Sequence, residues 1–382
     1  MVDTLPSPLR RVLLLAGLAG SCGMGRAAEF KARTLVFPRD FGSHPDTRTE
    51  WWYITGYASS GATGTAGTAG AADAGARLFG FQITFFRSRV DGTQDMQSSF
   101  AAKQLLFAHA AITDVQGKKL WHDQRMARST GASDIKAAAA SEKDTAIRLR
   151  DWSLVRKGNE YNVVALGADF QLNLQFRETQ PLMLQGDKGL SRKGPQPQQA
   201  SFYYSKPQMA VAGSLTVKGQ MMAVEASRGV AWLDHEWSNE VLPPGAVGWD
   251  WIGMNLFDGS ALTAFRLRDK SGNTVWDGGS FRHPKMNPPD RPHVFSRGEV
   301  IFQASRGWKS PLTQANYPVE WLVRTPADYY IVKALVDNQE LDSRGTTGAV
   351  YWEGLADLFD SNNRHVGRGY LEMTGYAKPL RM

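Results

Sequence analysis

The 382-residue chain is 42% apolar, 21% charged and 11% aromatic, with 12 Trp, one Cys and a formal charge of +7. At roughly 100–200 residues per domain the length suits two domains, and the composition excludes collagenous, disordered and polytopic membrane chains. One Cys excludes an internal disulfide framework and a cysteine-built metal site, and basic residues never run five in a row, which excludes a nucleic-acid-binding arm.

Residues 9–28 carry Arg10 and Arg11, an apolar stretch and then small residues, the pattern of a secretory leader. The stretch is shorter than the roughly 20 residues that span a bilayer. Cleavage after Ala27 puts Gly25 and Ala27 at the small-residue positions. Cys22, preceded by Ala19, Gly20 and Ser21, has two readings: a cysteine discarded with the leader, or a lipid-anchor site. The expected location is periplasmic or secreted, with membrane contact only through Cys22.

From residue 29 onward strand signals dominate. Glu50–Tyr57, Leu78–Arg87 and Leu105–Thr113 are rich in aromatic and β-branched residues and bounded by turn residues. Similar runs follow at Tyr161–Leu166, Phe170–Phe176, Gly248–Leu256, Leu262–Leu267, Val319–Arg324, Tyr329–Val336, Val350–Leu358 and Gly369–Tyr376. Short Gly-containing turns at Val90–Gly92, Val115–Gly117, Phe257–Ser260 and Lys270–Asn273 read as hairpins. Only Ile135–Ser141 has any helical period. Residues 58–76 are low in complexity and read as a long flexible hairpin loop, and Gly186–Gln199 as a polar loop. Leu242–Gly245, with two prolines, reads as a short Pro-rich linker. The predicted organisation is therefore a leader over 1–28, one all-β barrel over 29–242 and another over 246–382, both antiparallel.

Period-two geometry puts Glu50, Trp52 and Ile54 on one face of their strand and Trp51, Tyr53 and Thr55 on the other. Glu50 reads as a rim charge or structural ion pair rather than a buried acid. His109 shares an apolar face with Phe107 and Ala111; it is either a satisfied core histidine or a cavity-lining proton acceptor, and Gln82 and Thr84 hold comparable positions. The densest cluster is Asp234-His235-Glu236, with Trp232, Trp237, Trp249 and Trp251 around it. Desolvation among such rings shifts carboxyl and imidazole groups toward neutrality, as acid–base catalysis needs, although a polar plug at a barrel end would look the same. The chain has no Walker loop, Gly-x-Ser-x-Gly elbow, His-Glu-x-x-His motif or dinucleotide fingerprint, so no cofactor and no metal are expected.

The segments Glu50–Gly56, Phe81–Arg87, Phe107–Asp114, Phe202–Ser205 and Trp232–Ser238 together resemble the signature blocks of AttH-type lipocalin-like proteins, relatives of hydroxyneurosporene synthase, the carotenoid 1,2-hydratase. Trp249–Trp251, Tyr317–Trp321, Tyr351–Gly354 and Gly369–Gly375 extend the likeness. It implies two tandem lipocalin-like β-barrels. It further implies an exported protein that binds a hydrophobic, lipid- or isoprenoid-like ligand and is accessory to an ABC-type permease. The alternative it implies is a cofactor-free hydratase or hydrolase acting on a hydrophobic substrate. There His235 with Asp234 or Glu236 would be the acid–base groups. Trp237, Trp249, Trp251, His109, Trp52, Glu50 and Gln82 would line the ligand site. Phe265 stands where the hydratases place a phenol.

Overall fold

A computed structural model describes residues 32–60, 76–98, 100–129, 137–286 and 291–380. The leader, Cys22 and nearly all of the low-complexity loop lie outside them. Among the described residues there are 24 strands, two 3-10 turns and no α-helix.

The first sheet contains β1 (Thr49–Ser60), β2 (Arg77–Arg89), β3 (Gln104–Asp114), β4 (Lys119–Ser129), β5 (Ala138–Ala140), β6 (Ala146–Leu149), β7 (Trp152–Lys157), β8 (Glu160–Leu166), β9 (Phe170–Arg177), β10 (Met183–Leu184), β11 (Leu190–Arg192), β12 (Ala200–Val217), β13 (Gln220–Val224) and β14 (Gly229–Ser238). Its order is β4-β3-β2-β1-β14-β12-β9-β8-β7-β6-β5, and β4 returns beside β5 and β6, so the sheet curls nearly shut. The second contains β15 (Gly248–Leu256), β16 (Ala261–Arg268), β17 (Thr274–Arg282), β18 (His293–Phe295), β19 (Ile301–Lys309), β20 (Asn316–Arg324), β21 (Tyr329–Ala334), β22 (Glu340–Ser343), β23 (Ala349–Phe359) and β24 (His365–Met373), in the order β18-β17-β16-β15-β24-β23-β21-β20-β19. Among the described residues every ladder is antiparallel, and none joins the two sheets. The fold is all-β, two tandem lipocalin-like barrels.

Two local expectations need correction. The helical period at Ile135–Ser141 is overridden: Ala138–Ala140 pair with Ile147–Leu149 as a strand, because three small residues seal a barrel seam without crowding it. The Gly186–Gln199 loop contains β11, which pairs with β12.

Side-chain alternation explains why so many strands are apolar on both faces. On β14, Leu233, His235 and Trp237 enter the first barrel, whereas Trp232, Asp234 and Glu236 face the second. On β1, Trp52 and Ile54 point in and Trp51 and Tyr53 out. From the other side, β15 contributes Trp251, β16 Phe265 and Leu267, β23 Leu355 and β24 Tyr370 to the shared layer, while Ile252, Ala264, Trp352 and Leu371 fill the second barrel. Wall thus packs on wall, and each wall buries both of its faces. The long strand β12 serves both jobs through a bulge between Lys206 and Met209, where Gln208 takes φ +57. The Gln208 amide donates to Asn255 Oδ1 (2.7 Å), and its Nε2 to the carbonyls of Leu256 and Ser260, tying the bulge to the second barrel.

Candidate functional site

The residues singled out in the sequence fall into two groups on opposite faces of one wall. Inside the first barrel Glu50 is fully buried, which corrects its reading as a rim charge, although an ion pair is part of its role. Arg87 Nε lies 2.8 Å from Glu50 Oε2, His235 Nε2 2.9 Å and His44 Nδ1 2.7 Å from Oε1. Ser43 Oγ and the His44 amide also donate to it. Burial alone would raise the Glu50 pKa, but these donors hold it well below the usual carboxylate range.

His235 is pushed down to about 4, by burial first, so it is neutral; its Nε2 donates to Glu50 while Nδ1 accepts from the Tyr204 hydroxyl (2.9 Å). Trp52 stacks on it at 4.6 Å. His44 is different: its Nε2 faces Asp40 Oδ1 at 3.0 Å, and Trp237 stacks on its ring at 3.8 Å. Burial opposes its charge, yet hydrogen bonds to Asp40 and Glu50 raise its pKa above the ordinary 6.5.

The ligand atoms of His44, Glu50 and His235 lie within 4.8 Å of one another, a spacing a metal ion could use. However, the Arg87 guanidinium and the His44 imidazolium already supply the positive charge, and both His44 nitrogens are engaged by carboxylates. The donor set fits a proton-filled ion network better than a cation. A group whose folded pKa is raised stabilises most below its unfolded pKa and stops doing so as pH rises through the folded value. The stability deficit of His44→Gln relative to wild type should therefore be largest below pH 6.5 and shrink on alkaline titration, as read by urea denaturation at several pH values.

The other face lines a cavity of about 440 Å³ between the barrels. Trp51, Tyr53, Phe86, Phe107, Trp249, Trp251, Phe265 and Tyr351 contribute to its apolar wall; its polar members include His109, Lys193, Tyr203, Asp234, Glu236, Glu353 and Glu372. His235 therefore has neither Asp234 nor Glu236 as its acid–base partner, since alternate residues on a strand point to opposite faces. Trp52, Trp237 and Glu50 likewise belong to the barrel interior, whereas Trp249, Trp251 and His109 reach the cavity and Gln82 donates to the cavity-lining Thr84.

Asp234 accepts from Ser205 Oγ (2.5 Å), Tyr203 Oη (2.7 Å) and Trp232 Nε1 (2.7 Å). Burial still carries it up to about 7. Glu236 is held by Lys193 Nζ at 2.9 Å, and Lys193 lies over the Phe265 ring. His109 is both hydrogen-bonded and cavity-lining: Nδ1 meets Tyr351 Oη and Nε2 meets Thr346 Oγ1, each at 2.8 Å. Burial, then the nearby His122, pushes it down to about 3, so it stays neutral.

Two acids were not among the residues expected to act. Glu353 on β23 and Glu372 on β24 stand directly opposite one another, so their side chains emerge on the same face. No cation is paired with either among the described residues. Burial and then their mutual repulsion hold Glu353 well above the usual carboxylate range, and burial takes Glu372 up to about 7, eased by Trp249. Tyr53 and Gln82 approach Glu353, yet Glu353 Oε1, the Tyr53 hydroxyl and Gln82 Oε1 lack a well-formed hydrogen bond. The visible signal was an acid at the centre of an apolar run, in Val350–Leu358 and in Gly369–Tyr376.

The sequence pattern of the AttH-like family matches residues 28–376. Among solved structures, a Nitrosomonas europaea protein described as an AttH shares 41% identity over 91% of this chain and 99% of its own, with a TM-score of 0.79. A kievitone hydratase from Nectria haematococca has a TM-score of 0.67 at 12% identity, covering 90% of this chain and 94% of its own. The protein CghA has a TM-score of 0.51 at 12% identity, covering 92% and 94%. No curated protein matches the sequence.

Proposed function

This chain belongs to the AttH-like family, and from that premise we propose that it is an acid–base catalyst that adds water to a carbon–carbon double bond of an apolar substrate, or removes it, in the cavity between its barrels. The observation that carries this reading is the Glu353–Glu372 pair, two buried carboxyls that share a face with no counter-cation among the described residues. Two such groups cannot both ionise cheaply, so one retains a proton at neutral pH. A carboxylic acid kept neutral in an apolar site still carries its proton at neutral pH and can deliver it to a carbon base as a general acid.

In the forward direction the protonated carboxyl delivers its proton to one alkene carbon. The electron-deficient carbon left behind faces the aromatic walls of Trp249 and Trp251, whose π-faces favour positive charge. Water adds to that carbon and gives up a proton to the carboxylate partner, which returns the pair to its starting charge. The Trp251 Nε1–Tyr203 Oη–Asp234 chain fixes the indole against the cavity. The likeness to a kievitone hydratase supports the same chemistry. A volume of about 440 Å³ lies within the roughly 300–1,000 Å³ of small-molecule sites. The leader pattern supports an exported location.

The test is incubation of the purified protein with farnesol, squalene and their tertiary-alcohol hydrates in H2-18O, followed by mass spectrometry. Labelled tertiary alcohol formed by wild type and not by Glu372→Gln is the expected result. Tight binding of the alkenes with no conversion in either direction would instead assign a carrier role, which the apolar lining also supports.

A further inference from the structure

A second cavity, of about 210 Å³, lies on the other side of Tyr203 and Phe265, two residues that line both spaces. Its apolar members include Trp276 and Phe295, and its polar members are nearly all engaged with the protein itself. Asp277 accepts from the backbone amides of Gly298 (2.8 Å) and Val300 (3.2 Å). Arg192 Nη2 donates to the carbonyls of Gly194 and Pro195, and Arg297 lies over the Trp276 ring at 4.7 Å. Gln185 is spent on Ser205 and Ser280. Thr263 is not: it is 1% exposed, it lines this cavity, and its hydroxyl has no partner among the described residues. A buried hydroxyl without a partner is destabilising unless something supplies one.

We propose that this second cavity is a binding subsite for the uncharged polar end, a hydroxyl or carbonyl, of an elongated apolar ligand whose other end lies beside Glu353 and Glu372. The charged side chains described above are turned to backbone groups or a ring, whereas Thr263 Oγ1 can pair with a neutral oxygen. Tyr203 and Phe265 form the waist that the ligand passes, with Lys193 Nζ over both rings at 5.1 and 4.3 Å. A ligand confined to one space cannot reach both the acids and Thr263, so the subsite acts as a gauge of length. This inference names the substrate class for the catalytic reading and rests on it for the role of the far end.

The test measures equilibrium binding by calorimetry with geraniol, farnesol and geranylgeraniol, and with β-farnesene as the hydrocarbon control. Wild type should bind geranylgeraniol at least about tenfold more tightly than geraniol, because the added apolar length leaves water for the second cavity. Val294 lines only the second cavity, on a short edge strand where it is 38% exposed, so Val294→Trp fills that space without disturbing a core. It should lose about tenfold for geranylgeraniol and leave geraniol unchanged. Thr263→Val should weaken the alcohols about fivefold and leave β-farnesene alone, the loss of one hydrogen bond. An unchanged affinity series in both variants would overturn the proposal. Should wild type show the length series but hydrate nothing, the subsite stands and the catalytic reading falls.

Discussion

Glu353→Gln is expected to cut double-bond hydration by about 10²–10⁴-fold, the usual contribution of a positioned acid or base, while raising the melting temperature at pH 8. The gain in stability comes from the same repulsion that keeps the pair partly protonated. A carboxyl whose folded pKa is raised favours folding below its unfolded pKa, and that contribution is lost as pH rises through the folded value. For Glu372 the window runs from the ordinary 4.5 to about 7, and Glu353 extends it upward. An amide is neutral at every pH, so the variant overtakes wild type progressively above pH 5. Scanning calorimetry at pH 5 and pH 8, beside the labelled-water assay, separates the two effects. Lower stability at both pH values with activity intact would show that the pair is structural. Turnover of wild type should rise as pH passes about 7, where Glu372 gives up its proton and can act as the base, and decline only at higher pH as Glu353 loses the proton it donates.

Glu50→Ala should have the opposite character: no direct effect on chemistry, and a loss of about 3–5 kcal/mol in stability, the usual cost of stranding a buried charge. Arg87 is 1% exposed and directed at Glu50 Oε2, and the removal also strands the His44 imidazolium and the His235 Nε2–H. Asp40 would be left as the remaining carboxylate at His44. Glu50→Gln keeps an acceptor but not the charge and should fall between. The double variant Glu50→Leu with Arg87→Met should recover part of the loss, since removing a buried pair together is far milder than removing one member. Urea midpoints of the four proteins decide the matter. A shift within about 1 kcal/mol for Glu50→Ala would mean that the network contributes little.

Much of this was legible in the sequence because strand alternation and turn chemistry are local. Gly248–Leu256 was bounded as observed, and Phe257–Ser260 and Lys270–Asn273 do join adjacent strands of one hairpin each. Strands with ordinary polar outer faces were harder: Lys119–Ser129 reads KLWHDQRMARS and shows no apolar run, yet it pairs with β3 along its whole length. At the site, the aromatic crowding around Asp234 was visible, but its partners were not. The period of two already separated His235 from Asp234 and Glu236; which face held a cavity was a tertiary fact. Glu353 and Glu372 lie more than a hundred residues beyond that cluster, and only the β23–β24 register brings them opposite each other. Lys193 comes from an irregular loop, where no periodicity can aim a side chain.

The bulge at Gln208 gives β12 two reading frames. Before it, even-numbered Phe202 and Tyr204 fill the first barrel while Tyr203 and Ser205 face Asp234; after it, odd-numbered Met209, Val211 and Leu215 fill the barrel. A one-residue deletion here would not merely shorten the strand. It would restore a single frame, so that either Tyr203 and Ser205 turn into the core or Met209 and Val211 turn out of it. Natural variation along this strand should therefore run to substitutions and spare its length, and a designer who grafts the cavity elsewhere must carry the extra residue along.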